Sequence, residues 1–256
     1  MPAISISGLS VRFGEVLAVD DVSLDIGEGE FVSIVGPSGC GKTTVLNLLT
    51  GLVPLTQGSI SLLGKQPVIG NPDVAYMLAR DSLLPWRSAL ANAAYGMEIR
   101  GVDEASRERK ARGLLEQVGL KGFENHFPKM LSHGMRQRCA LARTFCLDSP
   151  VMLMDEPFGA LDAQTKLQLE DLLLRLWSEH RRTVVFITHD LAEAVALSDR
   201  VVVMSARPGR IIADMRIDLE RPRSVRALQK DRHFLDIYAE VWSKLEEGLG
   251  NVEAIT

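Results

Sequence analysis

Gly36-Pro37-Ser38-Gly39-Cys40-Gly41-Lys42-Thr43 follows directly on the apolar run Phe31-Val32-Ser33-Ile34-Val35 and leads into residues 43–49, which space as a helix. An apolar run of that length, closed by a Gly-rich turn, reads as a strand buried in a sheet. The turn fits the pattern G-x-x-x-x-G-K-[ST]. Its glycines let successive backbone N–H groups curl around phosphate, and the helix that opens from it aims its positive end at the same anion. Gly36, Pro37, Ser38, Gly39, Cys40, Gly41, Lys42, Thr43 and the adjoining Thr44 are therefore the expected nucleotide-binding residues. Lys42 is expected to neutralise the terminal phosphates, and Thr43 to place its hydroxyl on Mg2+.

Downstream, Val151-Met152-Leu153-Met154-Asp155-Glu156 supplies a second apolar strand ending in two carboxylates. Ligands of open α/β sheets sit at the carboxyl ends of the strands. Asp155 is the expected second Mg2+ residue, and Glu156 the group that orients and polarises the attacking water in phosphoryl transfer. Taken alone, an Asp-Glu pair after a strand is usually a solvated turn; after a phosphate loop the balance reverses.

Outward from these two motifs, strands are expected at 4–11, 74–78, 184–188, 201–204 and 211–217, with a long helix over 163–180 and an amphipathic helix over 225–249. Residues 88–119 are rich in Ala, Glu, Arg, Leu and Lys, with helical spacing at Ala111, Leu114, Leu115 and Val118. Arg207-Pro208-Gly209-Arg210 signals a turn. Strands alternating with helices imply a largely parallel sheet covered by helices. The expected organisation is an ATP-binding core of residues 1–79 and 130–220, a helical insertion at 80–129 that continues into the following helix, and a helical tail at 221–256.

Composition narrows the function classes. The 256 residues carry 29 basic and 33 acidic side chains, a net charge of −4, which argues against a coat for nucleic acid. The three cysteines, Cys40, Cys139 and Cys146, lack metal-ligand spacing and fit a reducing compartment better than a disulfide framework. No basic-then-apolar start marks a signal peptide, and no apolar run nears the roughly 20 residues that span a bilayer. Any service to a membrane is expected to come through docking onto other subunits.

Leu131-Ser132-His133-Gly134-Met135-Arg136-Gln137-Arg138 resembles the signature motif of ABC ATPases, which usually reads L-S-G-G-[QM]-x-x-R. It lies between the phosphate loop and Asp155, as in that family. Phe13 stands where an aromatic stacks on adenine, Ala160-Leu161-Asp162 matches the loop after the catalytic glutamate, and His189 matches the switch histidine. The resemblance runs from about residue 4 to 223.

It implies a P-loop NTPase of the ABC ATPase type: an α/β core with a mainly parallel sheet, an N-terminal antiparallel β part and a helical subdomain. It further implies that two such domains close head to tail on two ATPs. Ser132 and the backbone around Gly134 would meet the γ-phosphate held by the opposite subunit, His189 the one held by its own, and Asp162 would link the two sites. The catalytic set is then Glu156, His189 and Lys42. On residue type alone, Phe13 is a core residue, His189 a capping histidine, and Asp162 the cap of the helix that starts at Ala163.

Leu83-Leu84-Pro85-Trp86, Ser205-Ala206-Arg207-Pro208-Gly209-Arg210 and Glu220-Arg221-Pro222-Arg223 are similar to the branch serving importers of nitrate, sulfonates and taurine. That branch implies permease subunits in the membrane, a second ATPase subunit (the same or a different chain), indirectly a solute-binding protein, and a peripheral place on the cytoplasmic face of the inner membrane. With the chain ending soon after residue 223, the extra regulatory domain of sugar-importer relatives is not expected.

Two positions depart from the family pattern. Ala79 stands where a Gln normally completes the Mg2+ shell and senses the permease; water can replace the amide in that shell. His133 stands for a Gly and is uncommon if the position needs positive φ. Ala79 is the ground for an alternative reading as an ATP-binding regulatory partner with weak turnover. A third reading, a soluble ABC ATPase of DNA repair or translation, lacks the long coiled-coil insertion or fused second domain of those proteins.

Overall fold

In a computed structural model, which describes residues 2–159 and 161–249, Phe31–Val35 forms strand β3 with every residue buried. Pleating sends its side chains alternately into two cores. Phe31 and Val35 join a cluster with the helices, while Val32 and Ile34 join one beneath the N-terminal strands. Strand β6 (Val151–Asp155) and strand β7 (Thr183–Ile187) divide the same way: Met152, Met154, Val184 and Phe186 on the helical side, Val151, Leu153, Val185 and Ile187 on the other. Strands covered on both faces need no polar alternation, so they read as continuous apolar runs.

With β5 (Val74–Met77), β8 (Arg200–Met204) and β9 (Ile211–Arg216) these strands form a six-stranded sheet in the order β5-β6-β7-β3-β8-β9. It is parallel except for β9, which runs antiparallel to β8. A separate antiparallel sheet has the order β2-β1-β4, from β1 (Ile4–Phe13), β2 (Val16–Ile26) and β4 (Gln57–Leu62). Helix α1 (Lys42–Leu49) buries Val45, Leu46, Leu48 and Leu49 in the core between the two sheets. The sequence reading places β1 but misses β2 and β4. In β2 the pair Asp20-Asp21 interrupts the apolar alternation, and Asp21 adopts φ 50 in mid-strand.

The expected helical insertion contains α2 (Ala89–Ile99) and α3 (Glu104–Gln117), capped by Ser88 and Asp103 through their side-chain oxygens. Helix α4 (His133–Phe145) packs on both, so the helical unit runs on past residue 129. Helix α5 (Ala163–Glu179) then crosses the sheet and buries Trp177 edge-on to Phe31, with ring centroids 5.6 Å apart. Helix α6 (Leu191–Leu197) follows β7.

The single helix expected over 225–249 is two: α7 (Val225–Leu228) and α8 (Arg232–Leu249). The break arises because the Asp231 carboxylate accepts the Phe234 N–H at 3.0 Å and starts a new helix. Phe234, Ile237 and Val241 recur at helical spacing and are buried, and α8 lies on α6 and β8. The last seven residues of the predicted tail, 250–256, lie outside the described residues, as does Ala160. No described helix is long and apolar enough to cross a membrane.

Candidate nucleotide site

The carboxyl ends of β3, β6 and β7 lie side by side and carry, respectively, the phosphate loop, Asp155 with Glu156, and Thr188 with His189. Gly41 caps α1 at φ 102, and a Cβ there would stand 2.6 Å from Val19 Cγ2. Only glycine fits that turn. The N–H groups in the first turn of α1 have no intrahelical partner and face out as anion donors.

Lys42 is buried, and its ammonium donates to Gly36 O at 2.8 Å and Pro37 O at 3.0 Å. It is stowed against the loop's own carbonyls. Cys40 turns its thiol inward beside Lys42; burial raises that thiol's pKa. Ser38, Gly39, Thr43 and Thr44 face an open cavity of about 470 Å3. Phe13 stands in its wall with half its surface exposed, so a ring face is available to a planar base.

Thr43 Oγ1 donates to Asp155 Oδ2 at 3.0 Å. Burial raises the Asp155 carboxyl above the usual carboxylate range despite that hydrogen bond, and the charge of Glu156 adds to the rise. A hydroxyl and a desolvated carboxylate in contact are the hard oxygen donors that suit Mg2+. Tyr76, absent from the sequence reading, also borders Asp155; burial, then the carboxylate's charge, pushes its phenol well up.

Glu156 leaves β6 with φ 44, a backbone state that costs a non-glycine residue about 1 kcal/mol or more. Its N–H donates to Ile187 O at 2.9 Å, which holds the turn in place. The side chain then reaches His189, with Oε2 3.0 Å from Nδ1. An ionised carboxylate can only accept, so a hydrogen bond in this pair places the ring hydrogen on Nδ1.

Beneath His189 lies a network that the sequence gives no sign of. Lys166 on α5 bridges Asp190 at 2.7 Å and Glu193 at 2.6 Å, and Glu193 also accepts from Thr188. Glu170, one turn along α5 from Lys166, is buried; burial first, then the charge of Glu193, pushes its carboxyl up to about 8. Its members lie up to 27 positions apart in the chain, and no local motif joins them.

The other predicted residues lie elsewhere. Ser132 is exposed and caps α4, accepting the Met135 N–H at 3.2 Å. Gly134 lies against α5, where an added Cβ would be 2.7 Å from the Thr165 methyl. Asp162 accepts the Thr165 N–H at 3.0 Å and caps α5. None of the three lines the cavity. His133 is the first residue of α4 and has no positive φ, so the backbone does not demand glycine there. Ala79 is exposed in the bend after β5 and lies away from the cavity lining.

Two positions gain meaning only in three dimensions. Arg207 lines the cavity, although the sequence marks it only within a turn and a branch-like stretch. Asn92 on α2 is fully buried, accepts the Leu84 N–H at 2.7 Å, and donates to the carbonyls of Leu84, Arg87 and Ser88. It clamps a loop from which Trp86 projects with 71% of its surface exposed.

The family model described as "ABC transporter" matches residues 19–159. An ATP-binding protein of Brucella abortus (strain 2308) is 44% identical over 242 residues, 94% of this chain and 92% of that one. A taurine import ATP-binding protein of Shigella flexneri is 38% identical over 248 residues, 95% of this chain and 97% of that one. A solved ATP-binding cassette, in a dimeric post-hydrolysis state with ADP and phosphate, superposes with a TM-score of 0.73 at 29% identity, covering 85% of this chain and all of that one.

Proposed function

The chain belongs to the ABC transporter family as its ATP-binding, ATP-hydrolysing subunit, and from that premise we propose that it energises an importer of a small anionic or polar solute of the nitrate, sulfonate or taurine type. The observation that carries the importer reading is the likeness to a taurine import ATP-binding protein over 95% of this chain and 97% of the other. The solute itself never meets this subunit, so its choice belongs to permease and solute-binding partners.

In this reading the phosphate loop from Gly36 to Thr44 holds the triphosphate, Lys42 neutralises it, and Phe13 stacks on adenine. Thr43 and Asp155 would hold Mg2+, which supplies charge compensation at the phosphates when bound. Glu156 takes up and polarises the attacking water. His189, tied to Glu156 at 3.0 Å, keeps that carboxylate aimed and offers Nε2 to the terminal phosphate. Ser132 and Gly134 complete the site of a second ATPase subunit, and Asp162, beyond capping α5, links the two sites. The division into a core of 1–79 and 130–220, a helical subdomain and a tail belongs to the same proposal. So does a peripheral seat on the cytoplasmic face of the membrane, with the clamped loop around Leu84 and Trp86 meeting the permease.

The decisive experiment measures Mg2+-dependent ATP hydrolysis by the purified chain and solute uptake by cells carrying it with its permease, each beside Glu156→Gln. Turnover and uptake both lost in the variant, with ATP binding kept, support the proposal. Turnover without assembly on any permease overturns the importer reading. The second reading, a regulatory partner with weak turnover, rests on Ala79. It predicts ATP binding without turnover and a gain of turnover in Ala79→Gln.

A further inference from the structure

The loop between β8 and β9 is built onto the phosphate loop. Gly209 N–H donates to Ala18 O at 2.9 Å, and Gly209 O accepts the Asp20 N–H at 3.0 Å, so the loop continues β2 as a short parallel pair. Inside the loop, Ser205 Oγ accepts the Arg210 N–H at 3.0 Å and donates to Pro208 O at 3.1 Å. Arg210 pairs with Asp20 on β2. These contacts hold the loop that carries Arg207 on β2 and set Gly209 closely against Cys40 of the phosphate loop.

Arg207 is itself unlike its neighbours. Arg200 is held by Glu30 and Asp214, and Arg210 by Asp20. Among the described residues Arg207 has no carboxylate partner; its hydrogen bond is a single 3.4 Å donation from Nε to Gly39 O. One guanidinium nitrogen comes within 3.2 Å of where a Cβ on Gly39 would stand. The side chain borders the cavity that also holds Lys42, Thr43 and Phe13. Lys42 and Arg207 are the two cations of that wall, and Lys42 is buried in the loop while Arg207 is exposed above it. A guanidinium presents five donors in a planar fork that matches phosphate oxygens, and one left without an anion at a phosphate site lacks its partner.

We propose that Arg207 is a second nucleotide-binding cation, closing on the phosphate chain from the outer side of the phosphate loop opposite Lys42. This inference rests on the reading of the cavity as the ATP site. It assigns Arg207 to affinity and retention of nucleotide rather than to the hydrolytic step, because Glu156 and His189 act from a different strand end.

The test titrates a non-hydrolysable ATP analogue with Mg2+ into the purified full chain, Arg207→Ala, Arg207→Lys and, as a reference, Lys42→Ala. Thermal melting of each variant without nucleotide confirms folding. Loss of one charge-assisted contact at a partly exposed site predicts about tenfold weaker binding for Arg207→Ala. Arg207→Lys recovers part of it, and the deficit shrinks as salt rises. In steady-state hydrolysis KM rises by a similar factor while kcat stays within about twofold. Binding by Arg207→Ala within twofold of the parent overturns the assignment while leaving the ATP site standing. A Lys42→Ala variant that binds like the parent would instead sink the reading of the cavity itself.

Discussion

Substituting Gly209 by alanine tests whether the β8–β9 loop and the phosphate loop are one mechanical unit. The new Cβ would stand 1.9 Å from Cys40 O and 2.9 Å from Met204 Cε. A carbon and a carbonyl oxygen approach no closer than roughly 3.3 Å, so backbone must part by about 1.4 Å. Gly209 has no positive φ, so the cost is steric rather than conformational. Forcing that gap strains a packed interior by about 1–3 kcal/mol. The two backbone hydrogen bonds that flank the site, at 2.9 Å and 3.0 Å, weaken with it, for about 1 kcal/mol in total. A loss of about 3 kcal/mol lowers Tm by roughly 6–12 °C for a chain of this length. Because the displaced atom belongs to Cys40, ATP affinity should fall at least about tenfold as well, a matter of 1.4 kcal/mol. Scanning calorimetry with and without Mg-ATP reads both effects. Gly113→Ala serves as control, since Gly113 lies in α3 with nothing within 4 Å of its would-be Cβ; it should hold or raise Tm. Gly209→Ala with the Tm and ATP affinity of the parent would refute the claim that the two loops bear on each other.

Two further outcomes follow from other parts of the molecule. Leu84→Glu should leave ATP affinity within twofold and abolish co-purification with the permease and solute uptake; intact assembly would remove the clamped loop from the docking surface. The Glu170 carboxyl holds its proton up to about pH 8, whereas an unfolded glutamate loses it near 4.5, so the unfolded chain binds fewer protons across that window. Stability should therefore fall as pH rises through it. Glu170→Gln should flatten the decline and melt above the parent at pH 8.5; parallel pH curves for the two proteins would count against a buried neutral Glu170.

The strands that build the site are legible because burial on both faces leaves them uniformly apolar, and the phosphate loop because its backbone needs glycine at fixed places. The position of Glu156 at the end of β6 is legible from the apolar run before it. The strands β2 and β4 are not, since the short antiparallel sheet mixes polar positions and irregular φ angles with its apolar ones. Arg207 and Asn92 escape for a different reason. Arg207 acquires its setting from a loop that lies more than 160 positions from the glycine it touches, and Asn92 reads as one polar residue on an alanine-rich helix. The Lys166, Glu170 and Glu193 network is invisible in the same way: each member is an ordinary charged helix residue until α5 and α6 meet.

Helix α4 touches both ends of the machine. At its first turn it exposes Ser132; further along, Arg136 pairs with Asp81 at 2.8 Å, and Arg143 donates to the carbonyls of Asp81 and Ser82, each at 2.8 Å. Those carbonyls begin the loop that Asn92 clamps and from which Trp86 projects. The loop and the helix are thus joined at two points, Arg136 and Arg143. In the proposed docking, a displacement at Trp86 would reach Ser132 through these contacts. Under that proposal, loosening either contact would leave ATP turnover in place while lowering solute uptake.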